Sequence, residues 1–228
     1  MRCVKVNPED AETLRLFRAF YDDIYAPAFP NPDESETFES FCDMIVAGGA
    51  DSPYVQALLF YQADEPLGGV IFDYFAGIRA LTVEFIVVAE EHRGRGVASA
   101  ILDYAIEYVR SRGNPVDWLF IEIERPACVK NGDYAYLRFW KKHGMRAVDF
   151  AYIQPALGPG KRPVDTLLLC ARGPSGANEI ETARLKEFLY CYAHHAMEIE
   201  NPLADPSVQK MYQALDARGA ASIALLAL

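Results

Sequence analysis

The sequence predicts a mixed α/β fold with a mostly antiparallel sheet flanked by helices. Three observations carry that expectation. Short apolar runs bounded by glycine, proline and acidic turn residues occupy the middle of the chain, at Tyr54 to Tyr61, Gly69 to Phe75 and Leu81 to Ala89, and read as three successive antiparallel strands. Directly after them, Val97 to Arg110 places Ala98, Ile101, Leu102, Ala105, Ile106 and Val109 on one helical stripe. The composition allows both to be buried: 51% of the 228 residues are apolar and 12% aromatic, against 24% charged, which excludes a disordered or collagen-like polymer.

The remaining elements follow in order. Residues 1–6 make a short first strand. Asn7 as cap, Pro8 at the first helical position, and Glu9 and Asp10 mark a helix start feeding Leu14, Phe17 and Tyr21. Three prolines make Ala26 to Asp33 a loop, and Ser35 to Val46 spaces Phe38, Phe41, Met44 and Ile45 as a second amphipathic helix. Arg110, Arg112 and Gly113 close the Val97 helix. Beyond it, Trp118 to Ile123 reads as a strand and Asp133 to His143 as a helix stopped by Gly144. Ala147 to Ile153 and Asp165 to Ala171 read as two further strands.

Glycine and proline at 173–176 punctuate the chain, so residues 1–173 are expected as one domain and residues 174–228 as a C-terminal helical extension. In that extension Glu179 to Glu200 has helical spacing and Asn201-Pro202 ends it. The apolar Ser222 to Leu228 is too short to span a bilayer and is expected to pack on the body or on a second subunit, which leaves a homodimer open.

The charge balance limits the partners. Lysine and arginine total 22 against 32 acidic residues, a formal net charge of -10, which opposes a broad nucleic-acid surface. No apolar run reaches the ~20 residues of a membrane helix, and the N-terminus has no hydrophobic signal core. Five scattered cysteines, Cys3, Cys42, Cys128, Cys170 and Cys191, form neither a disulfide frame nor a zinc spacing, so a cytoplasmic location is expected.

Chemistry concentrates where the β-rich run from Phe85 breaks at Arg93-Gly94-Arg95-Gly96 and enters the Val97 helix. Glycines there let backbone N–H groups approach a ligand, and the helix start adds unpaired donors and the positive end of its dipole. Arg93 and Arg95 supply local positive charge in an acidic chain. The loop therefore suits a phosphate, although a plain strand-to-helix turn with exposed arginines has the same signature. A nucleotide P-loop would require a Gly-Lys-Ser/Thr ending, and a dinucleotide fingerprint a third glycine in a parallel unit; the sequence has neither.

Arg93-Gly94-Arg95-Gly96-Val97-Ala98 resembles the R-x-x-G-x-G/A signature of the GNAT superfamily of N-acetyltransferases, with Val88 at the family's strand-end valine. Phe139-Trp140-Lys141-Lys142-His143-Gly144-Met145 is similar to its later F-Y-x-K-x-G-F motif, and residues from about 1 to 172 follow its element order. The resemblance implies an acetyl-coenzyme A site. Backbone groups of Ile86, Val87 and Val88 would pair with the pantetheine arm. Gly94, Arg95, Gly96, Val97, Ala98 and Ser99, with Arg93, would hold the pyrophosphate. The fourth strand and the Trp118 strand would splay to admit the arm.

Attack on a thioester needs an amine that can shed a proton, since a free alkylamine of pKa about 10.4 is protonated at pH 7. By the resemblance, Glu122 is the foremost base, with Glu84 and Glu124 as alternatives. Trp140 stands where the family has a tyrosine that protonates the leaving thiolate, and an indole cannot replace it. Tyr136, one helical turn earlier, either supplies that acid or is packed. Positioning alone, with a thiol of pKa about 8.5 leaving as thiolate, is the remaining alternative.

Three other sets have two readings each. Cys191, His194, His195 and Glu198 either gather a metal or line an ordinary helix, and the sequence favours the helix. Asp22, Asp23, Asp33, Glu34, Glu36 and Glu39 either attract a cationic amine or form a solvated face. Phe17, Phe20, Tyr21, Tyr25 and Phe29 either wall an acceptor pocket or fill the core. The resulting expectation is an acyl-coenzyme A dependent N-acetyltransferase acting on a small-molecule or peptide amine. Its rivals are a non-catalytic acyl-coenzyme A sensor and a dimeric scaffold.

Overall fold

A computed structural model describes residues 1–48, 55–128, 134–174 and 176–228. The chain divides into two compact units, Met1–Val116 and Asp117–Leu228. Each is mixed α/β, with its sheet strands paired antiparallel and helices packed on them.

In the first unit the sheet runs β1 (Arg2–Lys5), β2 (Gln56–Gln62), β3 (Glu65–Phe75), β4 (Ala80–Val88), each antiparallel to the next. Tyr54, expected in the second strand, lies outside the described residues. The third strand starts at Glu65 rather than Gly69, because Ala63-Asp64 forms a tight turn with Ala63 at φ 51°. Pro66 sits inside it opposite Tyr61, where the register shifts and a missing N–H is tolerated.

The first helix, α1 (Ala11–Phe20), is capped by Asp10 rather than Asn7. Asp10 Oδ1 accepts from the Thr13 N–H at 2.8 Å, while Asn7 Oδ1 accepts from the Glu9 N–H at 3.1 Å and holds a turn ahead of the helix. The helix continues through a π-helical turn, Tyr21–Tyr25, into α2 (Ala26–Ala28), taking three residues of the expected loop. The widening ends just before Pro27, which cannot donate to a regular ladder. The next helix, α3 (Phe38–Gly48), starts later than expected because Thr37 Oγ1 caps the Ser40 N–H at 3.1 Å.

Phe17, Phe20, Tyr25, Phe38 and Phe41 pack with Ile71 and Val87 on one face of the sheet. On the other face lies α4 (Val97–Ser111), burying Ile101, Leu102, Ala105, Ile106 and Val109, with Tyr104 against Phe60 and Tyr108 against Phe72. Adjacent Ile71 and Phe72 thus serve opposite layers, as strand alternation requires.

The second unit orders its strands β5 (Trp118–Glu124), β7 (Leu167–Arg172), β6 (Arg146–Val148), β9 (Ser222–Ala227), β8 (Glu179–Glu181). Its helices are α5 (Ala135–Lys142), α6 (Thr182–His195) and α7 (Pro206–Arg218). Asp133, expected in α5, lies outside the described residues. The strand expected over Ala147 to Ile153 shrinks to β6, because the chain turns at Asp149-Phe150 and resumes pairing only as a bridge between Gln154 and Val164.

The segment from 174 onward is not purely helical. The helix expected over Glu179 to Glu200 begins as β8 and becomes α6 only at Thr182. The apolar tail is β9, paired with both β6 and β8 and burying Ile223 and Leu225 on alternate positions. Between them α7 is capped by Asp205, which accepts from the Ser207 and Val208 N–H groups. All five cysteines are free. Among the described residues no helix is long and apolar enough to cross a membrane.

Candidate active site

At the end of β4, a short 3-10 turn, Glu90–His92, leads to Arg93, and Gly94 and Gly96 then adopt left-handed φ values of 75° and 82°. That conformation costs a non-glycine residue about 1–2 kcal/mol, so the two glycines are what allow the chain to reverse this sharply. A Cβ at either position would meet nothing within 4 Å, so the space beside each glycine is open. Gly96 caps α4 with no side chain to offer, which leaves the helix's first N–H groups to be met from elsewhere. Arg93 Nε donates to the Val88 carbonyl at 3.1 Å, tying the turn to the strand end, and both Arg93 and Arg95 are exposed. His92 Nε2 lies 3.1 Å from Glu65 Oε1 at the start of β3, without hydrogen-bond geometry.

Strand β4 is buried except at Glu84, Phe85 and Ile86, which are half-buried, while Val87 and Val88 are buried. The register shift opposite Ile71 and Phe72 leaves Glu84 as the extra residue of a bulge. Beside it Asp73 is fully buried. Burial pushes the Asp73 carboxyl up, and a looser hydrogen bond from Glu84 offsets part of that rise.

In the second unit Glu122 is half-buried on β5 and is surrounded by donors. Its Oε1 accepts a short hydrogen bond from the Tyr152 hydroxyl. Its Oε2 accepts from the Tyr192 hydroxyl at 2.8 Å and from Gln154 Nε2 at 3.3 Å. Burial first, then the charge of Glu122, holds the Tyr152 hydroxyl far above its ordinary range, so it remains a protonated donor. Gln154 turns its amide nitrogen to the carboxylate, and its Oε1 is buried without a partner.

Glu124 is exposed, and its carbonyl accepts the Tyr136 hydroxyl at 2.9 Å. Burial, then the nearby Glu124 charge, pushes that phenol up to about 12. Its proton is thus held by a backbone oxygen and poorly released. Trp140 is buried against Phe139 with ring centroids 4.6 Å apart, so the indole is a packing group.

A family model for the GNAT acetyltransferases matches residues 18–145, more than half of the chain. The chain belongs to the GNAT acetyltransferase family. Solved structures agree in fold. A protein from Bacteroides thetaiotaomicron assigned to the GNAT acetyltransferases superposes with TM-score 0.64 at 16% identity, covering 87% of this chain and 99% of that one. The ribosomal-protein-S18-alanine N-acetyltransferase from Escherichia coli gives 0.50 at 15% identity, covering 77% and 96%. An aminoglycoside 6'-N-acetyltransferase solved with coenzyme A gives 0.50 at 15%, covering 76% and 97%. At such identities the likeness is one of fold. No curated protein matches the sequence.

The other residue sets of this GNAT chain resolve differently. Phe17, Phe20 and Tyr25 are buried in the aromatic cluster and Tyr21 and Phe29 pack against it, which is the core use of that set. Of the acidic set, Asp22, Asp23 and Glu39 are exposed, Asp33 and Glu34 half-buried and Glu36 buried. Arg18 pairs with Glu39 at 2.9 Å and lies 3.9 Å from Asp22. Cys191, His194, His195 and Glu198 bring no ligand atoms together; His194 Nδ1 instead meets the Ile199 carbonyl at 3.0 Å. Among the described residues, Glu65, Glu91 and His92 do converge, their ligand atoms within 4.8 Å of one another.

Sequence reasoning missed Asp73, Tyr152, Gln154 and Tyr192. A lone carboxylate inside the apolar run Gly69 to Phe75 was a readable signal for Asp73. The other three come from positions 30, 32 and 70 residues away from Glu122 and leave no local pattern.

Proposed function

We propose that this GNAT moves an acetyl group from acetyl-coenzyme A to a primary amine, on a small molecule or a peptide, by direct attack. The observation that carries the reading is the turn from Arg93 to Gly96, where two left-handed glycines lead into a helix start whose cap, Gly96, has no side chain, beside two exposed arginines. Those features fit a diphosphate in shape and charge. The Gly94 to Ser99 backbone would hold the pyrophosphate, and that of Ile86, Val87 and Val88 the pantetheine arm in the manner of an added strand. The coenzyme A complex of a structural neighbour supports the choice of ligand.

In the reaction the amine nitrogen bonds to the thioester carbon, the C–S bond breaks and the sulfur leaves as thiolate. The nitrogen becomes acidic as its new bond forms, so a carboxylate far weaker in base strength than the free amine can then take the proton. Glu122 is our assigned base, held in one orientation by three donors. Glu84, in its bulge, is the alternative. Five free cysteines suit a reducing compartment, and we place the enzyme in the cytoplasm.

A second reading, an acyl-coenzyme A binding protein without turnover, is favoured by one observation: Trp140 is buried and the Tyr136 proton is committed to Glu124, so neither offers an acid to the leaving sulfur. Calorimetry with acetyl-coenzyme A, followed by thiol release with putrescine, lysine, an aminoglycoside and an unblocked peptide, separates the two. Binding with release supports the enzyme, binding without release supports the sensor, and no binding removes both.

A further inference from the structure

We propose that the C-terminal segment supplies a positioning residue, Tyr192, that fixes the orientation and ionisation of Glu122. The inference rests on the reading of Glu122 as the base.

Tyr192 is buried on α6, and its hydroxyl reaches Glu122 Oε2 at 2.8 Å from a part of the chain 70 residues away. Its ring has little freedom to leave. It stacks on Phe188 at 5.4 Å, and Phe188 stacks on Phe120 at 3.8 Å. Phe120 precedes Glu122 by two residues on β5, so strand alternation puts both side chains on one face. One aromatic column therefore spaces the Tyr192 hydroxyl from the carboxylate it serves.

A phenol that donates to a carboxylate favours the charged form. Two consequences follow for a base. The oxygen plane is fixed with respect to the strand, and the group stays ionised, ready to accept, at lower pH than it otherwise would. Among the titratable groups facing Glu122 are Tyr152 from the segment after β6 and Tyr192 from α6; Glu124 lies two positions along the strand, and β7 sets Leu169 opposite. Tyr152 donates to Oε1 and Tyr192 to Oε2, so the two donors can be removed one at a time.

The test is Tyr192→Phe, which keeps the ring and removes the donor. A carbon-13 titration of glutamate carboxyls in the free protein, with Glu122 identified by its loss in Glu122→Gln, should find its midpoint about one unit higher in the variant. The acidic limb of kcat/KM, read by thiol release with the amine that serves best in the panel above, should move by the same amount. Activity well below the midpoint should fall about tenfold and recover on the alkaline plateau. An unmoved midpoint overturns the role of Tyr192 whatever the kinetics. A moved midpoint with an unmoved limb, or a Glu122→Gln variant of wild-type turnover, shows instead that Glu122 is not the base.

Discussion

Phe120 on β5 and Phe188 on α6 stack with ring centroids 3.8 Å apart and planes 11° from parallel. Trp118 extends the column on one side of Phe120 at 6.0 Å, and Tyr192 continues it beyond Phe188 at 5.4 Å. The segment after residue 173 thus supplies one wall of the second unit's core, and β9 adds a strand to the edge of β6.

A chain ended after Gly173 should therefore fail to fold as a unit. It would lose Leu185, Phe188, Leu189 and Tyr192 from the core. Fully burying a side chain of this size is worth about 1.5–3 kcal/mol, so the four together rival the whole ~5–15 kcal/mol margin of a domain. Size-exclusion chromatography and circular dichroism should find aggregated or unfolded material. A monomer with a wild-type melt would refute the core role.

Asp73 makes stability depend on pH in a definite direction. Its folded carboxyl titrates above the ordinary range because it is buried. The native chain therefore keeps a proton that the unfolded chain releases near pH 3.9, and stability through this group falls as pH rises from there through the raised value. Asp73→Asn removes the penalty. The variant should be more stable than wild type by roughly 1–3 kcal/mol at neutral pH, with the gain vanishing below about pH 4. Scanning calorimetry at both ends checks this, and a destabilised variant at neutral pH would show that the charge has a favourable use.

The contrast between what was and was not legible follows sequence distance. Strand alternation and the helical stripe of α4 are local, and the positive φ of Gly94 and Gly96 is announced by the glycines themselves. The cap of α1 was misplaced because Asn7 and Asp10 compete for the same turn, and Thr13 settles it by bonding both. Strand β8 was hidden in a helical pattern because its partner, β9, lies more than 40 residues later. The donors around Glu122 converge only through the tertiary fold.

Two substitutions at Gly96 separate backbone strain from ligand exclusion. Alanine meets open space, so its cost is the left-handed φ, about 1–2 kcal/mol of stability. Glutamate carries the same strain and adds bulk and negative charge where an anion is proposed to sit. Both variants should melt alike, while calorimetry with acetyl-coenzyme A should show a few-fold weaker binding for alanine and about a hundredfold loss or more for glutamate. Equal affinities in the two would mean that the diphosphate is held elsewhere.

Tyr136→Phe tests whether that phenol is the acid that Trp140 cannot be. Its hydroxyl proton rests on the Glu124 carbonyl at 2.9 Å, and its pKa is pushed up to about 12, so a thiolate of pKa about 8.5 is too weak a base to draw the proton away. Removing the hydroxyl should cost about 1 kcal/mol from the lost hydrogen bond, lowering the melting temperature by a few degrees. Turnover in the thiol-release assay should stay within twofold of wild type from acid to alkaline pH. A selective loss of kcat, with the KM for acetyl-coenzyme A unchanged, would instead give Tyr136 the acid role and require its bond to Glu124 to break during the reaction.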